Sequence, residues 1–438
     1  MTILARHIRP SPRQRPSVRN SAAVFVLLCF LTLLVSPLRA FAASGACATQ
    51  SRRSDPAQPY STPLPFRVQP DDRVTRRGFE AFYNMDYDAA IRLFQQERVH
   101  YPDDPFVINH LLAAVLAKEL DREGQLDATL YMGNKFLQLK APPVDPQVRT
   151  QILDLSQRAF TLTNQELKKN PKDTDALFAR AVARGLATVY SAVIEKKWLG
   201  ALKQGLGAYH DDEHVLKIDP HYDDAKLVVG TFQYIVGSLS WWEKSIAYVA
   251  NMHGSRKKGL TLLRQAVAGG GEESVDASTI LALFLAREKK YDEALALLQR
   301  DYDNFPHNFI FGLAVADLLN ASGRHDESIA HYRELVHRGQ AGFFPSAHVE
   351  RAAFSLGLAL RNQKNYAAAA RAFDEALNYP NANSGVAAPA ALNAGEMYDL
   401  LGQREKALAR YNQAIALAPH SDAAGSASRF LKSPYSVS

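Results

Sequence analysis

His210-Asp211-Asp212-Glu213-His214 is the densest run of ligand-type side chains in this 438-residue chain. Two histidines four apart share one face of a helix and can hold a metal ion between them for metal-assisted hydrolysis. Such a site needs a glutamate directly after the first histidine and a further ligand; Asp211 stands in that position, and His221 is the next histidine along. The competing reading is a solvated helix face. It is favoured because Ala208 and Val215 mark the packing side of the same helix and leave His210 and His214 on the outer side. Gly254-Ser255-Arg256-Lys257-Lys258-Gly259 is a basic, glycine-flanked turn ahead of a helix, a place that can hold an anion. It lacks the Gly-Lys-Ser/Thr ending of a phosphate loop and reads as an ordinary inter-helix turn. Residues 227–242 run for sixteen positions without a charge and end in Trp241-Trp242, a pair suited to a membrane interface, but Gly230 and Tyr234 at helical spacing and the charges Glu243 and Lys244 directly after favour packing against other helices. There is no Gly-x-Ser-x-Gly nucleophile elbow and no Cys/His pairing. The expectation is a protein with no catalytic residues, no metal and no cofactor.

These residues sit on helices that recur. Ala294, Ser328, Ala369 and Ala407 each open a second helix, at successive spacings of 34, 41 and 38 residues. The longer intervals contain the Gly-, Pro- and Asn-rich stretches 341–345 and 381–389. Around each small residue the same order returns: Gly357, Tyr366, Ala369, Phe373, Ala376, Pro380, then Gly395, Gly402, Ala407, Tyr411, Ala414, Pro419. Small residues stand where two helices touch, aromatics fill the groove beside them, and proline stops the second helix. An N-terminal copy is readable in Gly78, Tyr87, Ala90, Phe94 and Pro102, and another opens at Asp223 with Gly230 and Tyr234. Residues 203–220 read as the second helix of a divergent copy.

This order and a period of about 34 residues resemble the tetratricopeptide repeat, whose helix pairs cannot bury their apolar faces alone and stack into a solenoid. Glu97 departs from the family, which prefers alanine there. A second resemblance, to the tetratricopeptide repeat domain 39 family, rests on residues 219–224 and 254–259. The first resemblance implies an all-α, α-α superhelical solenoid of about eight to ten pairs by length and period. It also implies a concave groove lined by first helices, where a protein or peptide segment binds. Carried over residue by residue, that groove contains Tyr234, Arg287, Asp317, Asn320, Arg351, Phe354, Arg361, Glu396 and Asp399.

The ends of the chain bear on its location. Arg6, Arg9, Arg13, Arg15 and Arg19 precede a 14-residue apolar core at 22–35, and Ala40-Phe41-Ala42 follows as a small-x-small cleavage signal. Residues 1–42 therefore read as a secretory signal peptide; the apolar run is shorter than the roughly 20 residues a membrane span needs. The chain carries 51 basic against 45 acidic residues, a net +6, but six of the arginines lie in 1–42 with no acid among them, leaving 45 against 45. A nucleic-acid footprint needs a basic surplus that this remainder lacks. Cys47, the one cysteine beyond the leader, has small neighbours of the kind a lipidation site prefers but lacks the usual leucine, and reads as a free thiol. Residues 43–72, rich in Ser and Pro, read as a disordered spacer. Residues 73–432 read as the solenoid: a divergent half at 73–270, clearer repeats at 275–420 and a capping helix at 421–432, with 433–438 a fraying tail.

The sequence thus reads as an exported, non-catalytic scaffold for protein–protein interaction in a bacterial cell envelope, periplasmic or outer-membrane associated. The alternative is an envelope accessory subunit that contacts membrane or lipid through 227–242.

Overall fold

The computed structural model describes residues 64–126, 144–239, 253–345, 348–379 and 384–437. The leader, Cys47, Trp241-Trp242 and the spacer up to residue 63 lie outside the described residues. Among the described residues there are seventeen α-helices and no strand. They form eight antiparallel pairs and a cap. The pairs are α1 (Arg73–Tyr83) with α2 (Tyr87–His100), α3 (Pro105–Arg122) with α4 (Pro146–Lys169), and α5 (Thr174–Val189) with α6 (Trp198–Ile218). Next come α7 (Lys226–Ser238) with α8 (Arg256–Gly269) and α9 (Ser274–Arg287) with α10 (Tyr291–Asn304). The last three are α11 (Phe309–Ala321) with α12 (His325–Gln340), α13 (Val349–Asn362) with α14 (Tyr366–Leu377), and α15 (Ser384–Leu400) with α16 (Arg404–Leu417). Helix α17 (Asp422–Lys432) closes the stack, and a π-helical turn, Tyr190–Ile194, joins α5 to the loop before α6.

The repeat residues hold the pairs together as their types require. Ala90, Ala294, Ser328, Ala369 and Ala407 are all fully buried where second helices meet first helices. Gly78, Gly357 and Gly395 lie flat against the rings of Phe94, Phe373 and Tyr411, so that a Cβ on any of them would overlap the ring. The turn inside a pair also repeats. A left-handed residue is followed by the N-cap, and it is Met85, Lys289, Gly323, Lys364 or Gly402 in five of the pairs, with φ between 60° and 75°. Pairs two to four replace that tight turn with longer connections, which is why the repeat pattern fades between 103 and 255.

Two boundaries differ from the sequence reading. The sequence assigns 64–72 to a disordered spacer, but Phe66 and Val68 are buried against the solenoid. The Arg67 backbone N–H donates to the Gly270 carbonyl at 2.8 Å, and its guanidinium donates to the Gly269 carbonyl at 2.9 Å. A short apolar anchor thus docks a segment whose composition alone looks unstructured. Likewise the tail does not simply fray: the Tyr435 ring packs 5.2 Å from Phe430, and its N–H donates to Asp399 at 2.7 Å.

Candidate functional site: a row of first-helix residues and a chamber

The first pair does not stay at its end of the stack. Tyr83, at the end of α1, packs its ring 5.1 Å from Phe305 and donates its hydroxyl to Asp276 on α9 at 3.1 Å. Asn308, the N-cap of α11, donates its side-chain amide to the Tyr83 carbonyl at 2.7 Å, and the His307 N–H donates to Asn84 at 3.2 Å. Further along, His348 meets the Asp121 carbonyl at 2.9 Å. Residues some two hundred apart in sequence therefore touch, and the superhelix closes on itself through its first two pairs.

A buried polar chain secures this closure. Glu97 is fully buried on α2, where its carboxylate accepts from the Thr75 hydroxyl at 2.5 Å and faces His110 Nδ1 at 3.3 Å. His110 Nε2 lies 3.2 Å from Glu272 across the junction. Burial alone pulls the imidazole pKa down, but Glu272 and Glu97 on its two nitrogens outweigh that and carry it up to about 10, so the ring is an imidazolium that donates both ways. The one departure of the first repeat from its family pattern, Glu97, is the residue that ties pair one to pair two and, through His110, to pair five.

Behind the closure lies a chamber of about 80 Å³, lined by the first helices of pairs one to five together with Phe94 of α2 and Asp212 of α6. Phe79, Phe94, Phe106 and Phe178 make much of its wall, and Asn109, Asp212, Asp224, Glu273 and Asp276 line it as well. Asp212 is 1 % exposed, and among the described residues neither of its carboxylate oxygens has a hydrogen-bond partner. Burial, then the nearby Glu273, Asp211 and Asp224, push its carboxyl pKa well up. Glu273 and Asp276 are raised by the same burial, and Asp224 reaches about 6, raised by burial against the donated Glu273 N–H.

Asp212 comes from the run that first drew attention. His210 and His214 are exposed on the outer face of α6, as the packing register predicts. Asp211 is tied to Arg180 at 2.6 Å and Arg184 at 3.2 Å. Asp212 points the other way. The signal was available: it lies four residues after Ala208 and three before Val215, on the buried stripe of the same helix. The Gly254–Gly259 turn is structural. Ser255 caps α8, and Gly259 lets α8 lie against the Tyr234 backbone of α7. In 227–242 the described apolar residues Leu227, Val229, Phe232, Ile235 and Val236 are buried inside the solenoid. The long apolar stretch Thr174–Ile194 is likewise mostly buried.

The nine groove residues separate into couples and single positions. Tyr234 is buried, stacks on Phe284 at 3.9 Å and donates to Glu288 at 3.0 Å, while Arg287 is exposed with its guanidinium 5.9 Å from the Tyr234 ring. Asp317 accepts from the Tyr332 hydroxyl, and Asn320 meets His325 at 2.9 Å. Arg351 is buried, and Phe354 packs its ring 5.6 Å from Phe373. Arg361 reaches from α13 to α15, donating to Asn393 at 2.5 Å and lying 3.3 Å from Glu396. Burial raises the Glu396 pKa and Arg361 lowers it. Asp399 turns away from this couple, accepting from Arg404 at 2.9 Å and from the Tyr411 hydroxyl at 2.8 Å.

Comparison with known proteins agrees with this architecture. Tetratricopeptide repeat models match residues 253–309, 313–385 and 390–421. No curated protein sequence matches significantly. Among solved structures, the chain is similar to the APC/C hetero-tetramer Cut9-Hcn1 at 13% identity and a TM-score of 0.45, covering 82% of this chain and 55% of that one. The chain thus spans just over half the length of that neighbour. It is similar to yeast Tom70 at 13% identity and a TM-score of 0.37, over 83% of this chain and 89% of that one. YrrB, described as a TPR protein with an unusual peptide-binding site, matches at 18% identity and a TM-score of 0.28, over 61% of this chain and 97% of that one. With all described elements helical, the small-and-aromatic register of its pairs buried as the repeat demands, and repeat models matching from pair four to pair eight, this chain carries tetratricopeptide repeats over residues 253–421.

Proposed function

We propose that this protein is a non-catalytic scaffold that holds a protein or peptide segment along the concave row of its C-terminal pairs, after export to a bacterial cell envelope. One observation carries the binding reading. Along the first helices of pairs five to eight, Arg287 is exposed, and Arg361 and Glu396 form a couple whose arginine side chain is 34% exposed. An arginine–carboxylate couple that keeps its arginine in reach of solvent can exchange partners with a bound chain, and Phe354 beside it offers an aromatic anchor. The leader-like pattern of 1–42 supports export. The burial of the described part of 227–242 takes that segment away from lipid and leaves the membrane reading to Trp241-Trp242.

The test is an in-cell cross-linking pull-down of the full chain, tagged at its C-terminus, beside an Arg287→Glu/Arg361→Glu variant. A protein captured by the wild type and lost from a variant with unchanged circular dichroism supports the groove. Capture that is equal in both removes it. N-terminal sequencing of the purified protein that begins at Ala43 supports export with cleavage, and an intact Met1 removes it.

A further inference from the structure

The chamber has a surplus of hydrogen-bond acceptors. Asp212 Oδ1 and Oδ2 and Asn109 Oδ1 are three buried acceptors without a donor among the described residues, and both residues line the same cavity. The Asn109 amide nitrogen is committed to the Ala179 carbonyl at 2.7 Å, which fixes its oxygen as the unmatched atom. A buried acceptor left unsatisfied costs about 1–3 kcal/mol, more when charged, and a native fold does not gather three in one cavity without a use for them. Charge points the same way. Among the described residues lining the chamber, His110 is the only cation, and it is already held between Glu97 and Glu272. The apolar wall includes five phenylalanines, a ring type that favours a cation over its face.

We propose that the chamber binds a small primary ammonium ion, a short alkylamine whose N–H groups donate to Asp212 and Asn109 and whose alkyl part lies against Phe106 and Phe178. Three ammonium donors match three orphan acceptors. A metal ion fits less well. Calcium takes six to eight oxygen ligands and magnesium a strict octahedron with several waters. Among the described residues no three His, Cys, Asp or Glu side chains converge on such a point. Burial raises the Asp212 pKa and a bound cation lowers it again, so binding favours proton release.

The experiment is isothermal titration calorimetry of the purified full chain with ethylammonium chloride, in two buffers of different ionisation heat. Sodium, magnesium and tetramethylammonium chlorides serve as comparison titrants. The expected result is saturable one-to-one binding of ethylammonium, weaker binding of tetramethylammonium, which has no N–H, and a buffer-dependent heat that reports proton release. Asp212→Asn, which keeps shape and removes charge, should cut ethylammonium affinity at least tenfold while melting no lower than wild type. No saturable heat with ethylammonium overturns the proposal, as does unchanged affinity in Asp212→Asn. Binding without proton release overturns it on the wild type alone, and saturable magnesium binding lost in Asp212→Asn would assign the chamber to a metal instead.

Discussion

The two ends of this solenoid are built from one register and use it differently. In pairs seven and eight, Gly357 faces Phe373 and Gly395 faces Tyr411, and the surrounding positions are mostly alanine. Pair one has the same contact, Gly78 against Phe94, yet its buried set also contains Thr75 and Glu97, and it hands a polar chain to His110 and Glu272. The C-terminal pairs are held chiefly by neighbours in sequence. The N-terminal pairs also depend on residues some two hundred positions away, and they enclose the Asp212 carboxyl, which has no hydrogen-bond partner among the described residues, whereas the buried Glu350 and Glu396 of pairs seven and eight meet His348 and Arg361. An apolar register makes a solenoid; buried polar groups that reach across it close the solenoid and give it an interior.

Phe94→Ala and Phe373→Ala should produce the largest effects and separate the two modes. Each ring is almost fully buried, and removing one costs about 3–5 kcal/mol. Since solenoid repeats are stabilised mainly by their immediate neighbours, Phe373→Ala should raise hydrogen exchange in α13 to α16 and little else. Phe94→Ala should raise it in α1 and α2 and also in α9 and α11 far along the chain. Equal spread in both variants would break the comparison.

Acidity should act mainly on the N-terminal region. Asp224 has a folded pKa of about 6, above its ordinary 3.8. Its contribution is therefore present below about pH 4 and is lost as pH rises through about 6, a change on the order of 2–3 kcal/mol by linkage. His110, raised from 6.5 to about 10, contributes below its ordinary value and loses that as pH passes through 10. In the C-terminal part, Arg324 holds the Glu327 pKa down, so that contribution disappears as pH falls. This pair is partly exposed, the Glu327 side chain at 43%, and contributes little. Raising pH from 5 to 7.5 should thus loosen α1, α3 and α7 to α9 more than α13 to α16, where burial raises the Glu396 pKa only against the opposing Arg361, as read by exchange corrected for intrinsic rates. A uniform response would break the comparison.

Tyr83→Phe is a smaller and more local probe. It removes the hydroxyl donated to Asp276 and leaves that buried carboxyl without it, at a cost of about 1–2 kcal/mol. The ring and its contact with Phe305 remain. Protection should fall at the α1–α9 junction and hold in pairs seven and eight; unchanged protection at the junction would show that aromatic packing alone closes the superhelix.

What the sequence made legible follows the same division. The C-terminal pairs could be read almost residue by residue, because alanine, glycine and ring positions at a fixed period encode contacts between neighbours. The closure could not, because nothing in the local pattern around Tyr83 or Asn308 specifies a partner two hundred residues away. Glu97 was visible as a departure from the repeat, but its meaning depended on His110 arriving from the next pair. The groove positions were legible as a row of first-helix residues. Which of them keep charge in reach of solvent, as Arg287 and Arg361 do, depends on side-chain couples that period alone does not determine. At 210–214 the histidines drew attention by residue type, and the buried stripe through Ala208, Asp212 and Val215 marked the residue that faces the chamber.

The smallest predicted effect uses the turn the two regions share. Lys364 and Met85 occupy the same left-handed step between the helices of a pair, with φ of 60° and 64°. That conformation costs an L-residue about 1–2 kcal/mol, and glycine adopts it freely at an entropic cost of about 0.5–1 kcal/mol. The Lys364 side chain is exposed, so Lys364→Gly should stabilise by about 0.5 kcal/mol, seen as a small rise in melting temperature. Met85 is 2% exposed and lines the interface between the first pair and α9 to α11. Met85→Gly therefore gains the same backbone relief and loses a buried side chain, a loss that exceeds the relief. The two substitutions should have opposite signs at one position of the repeat. If Met85→Gly stabilises as Lys364→Gly does, the first pair is only another repeat, and the closure contributes nothing to the fold.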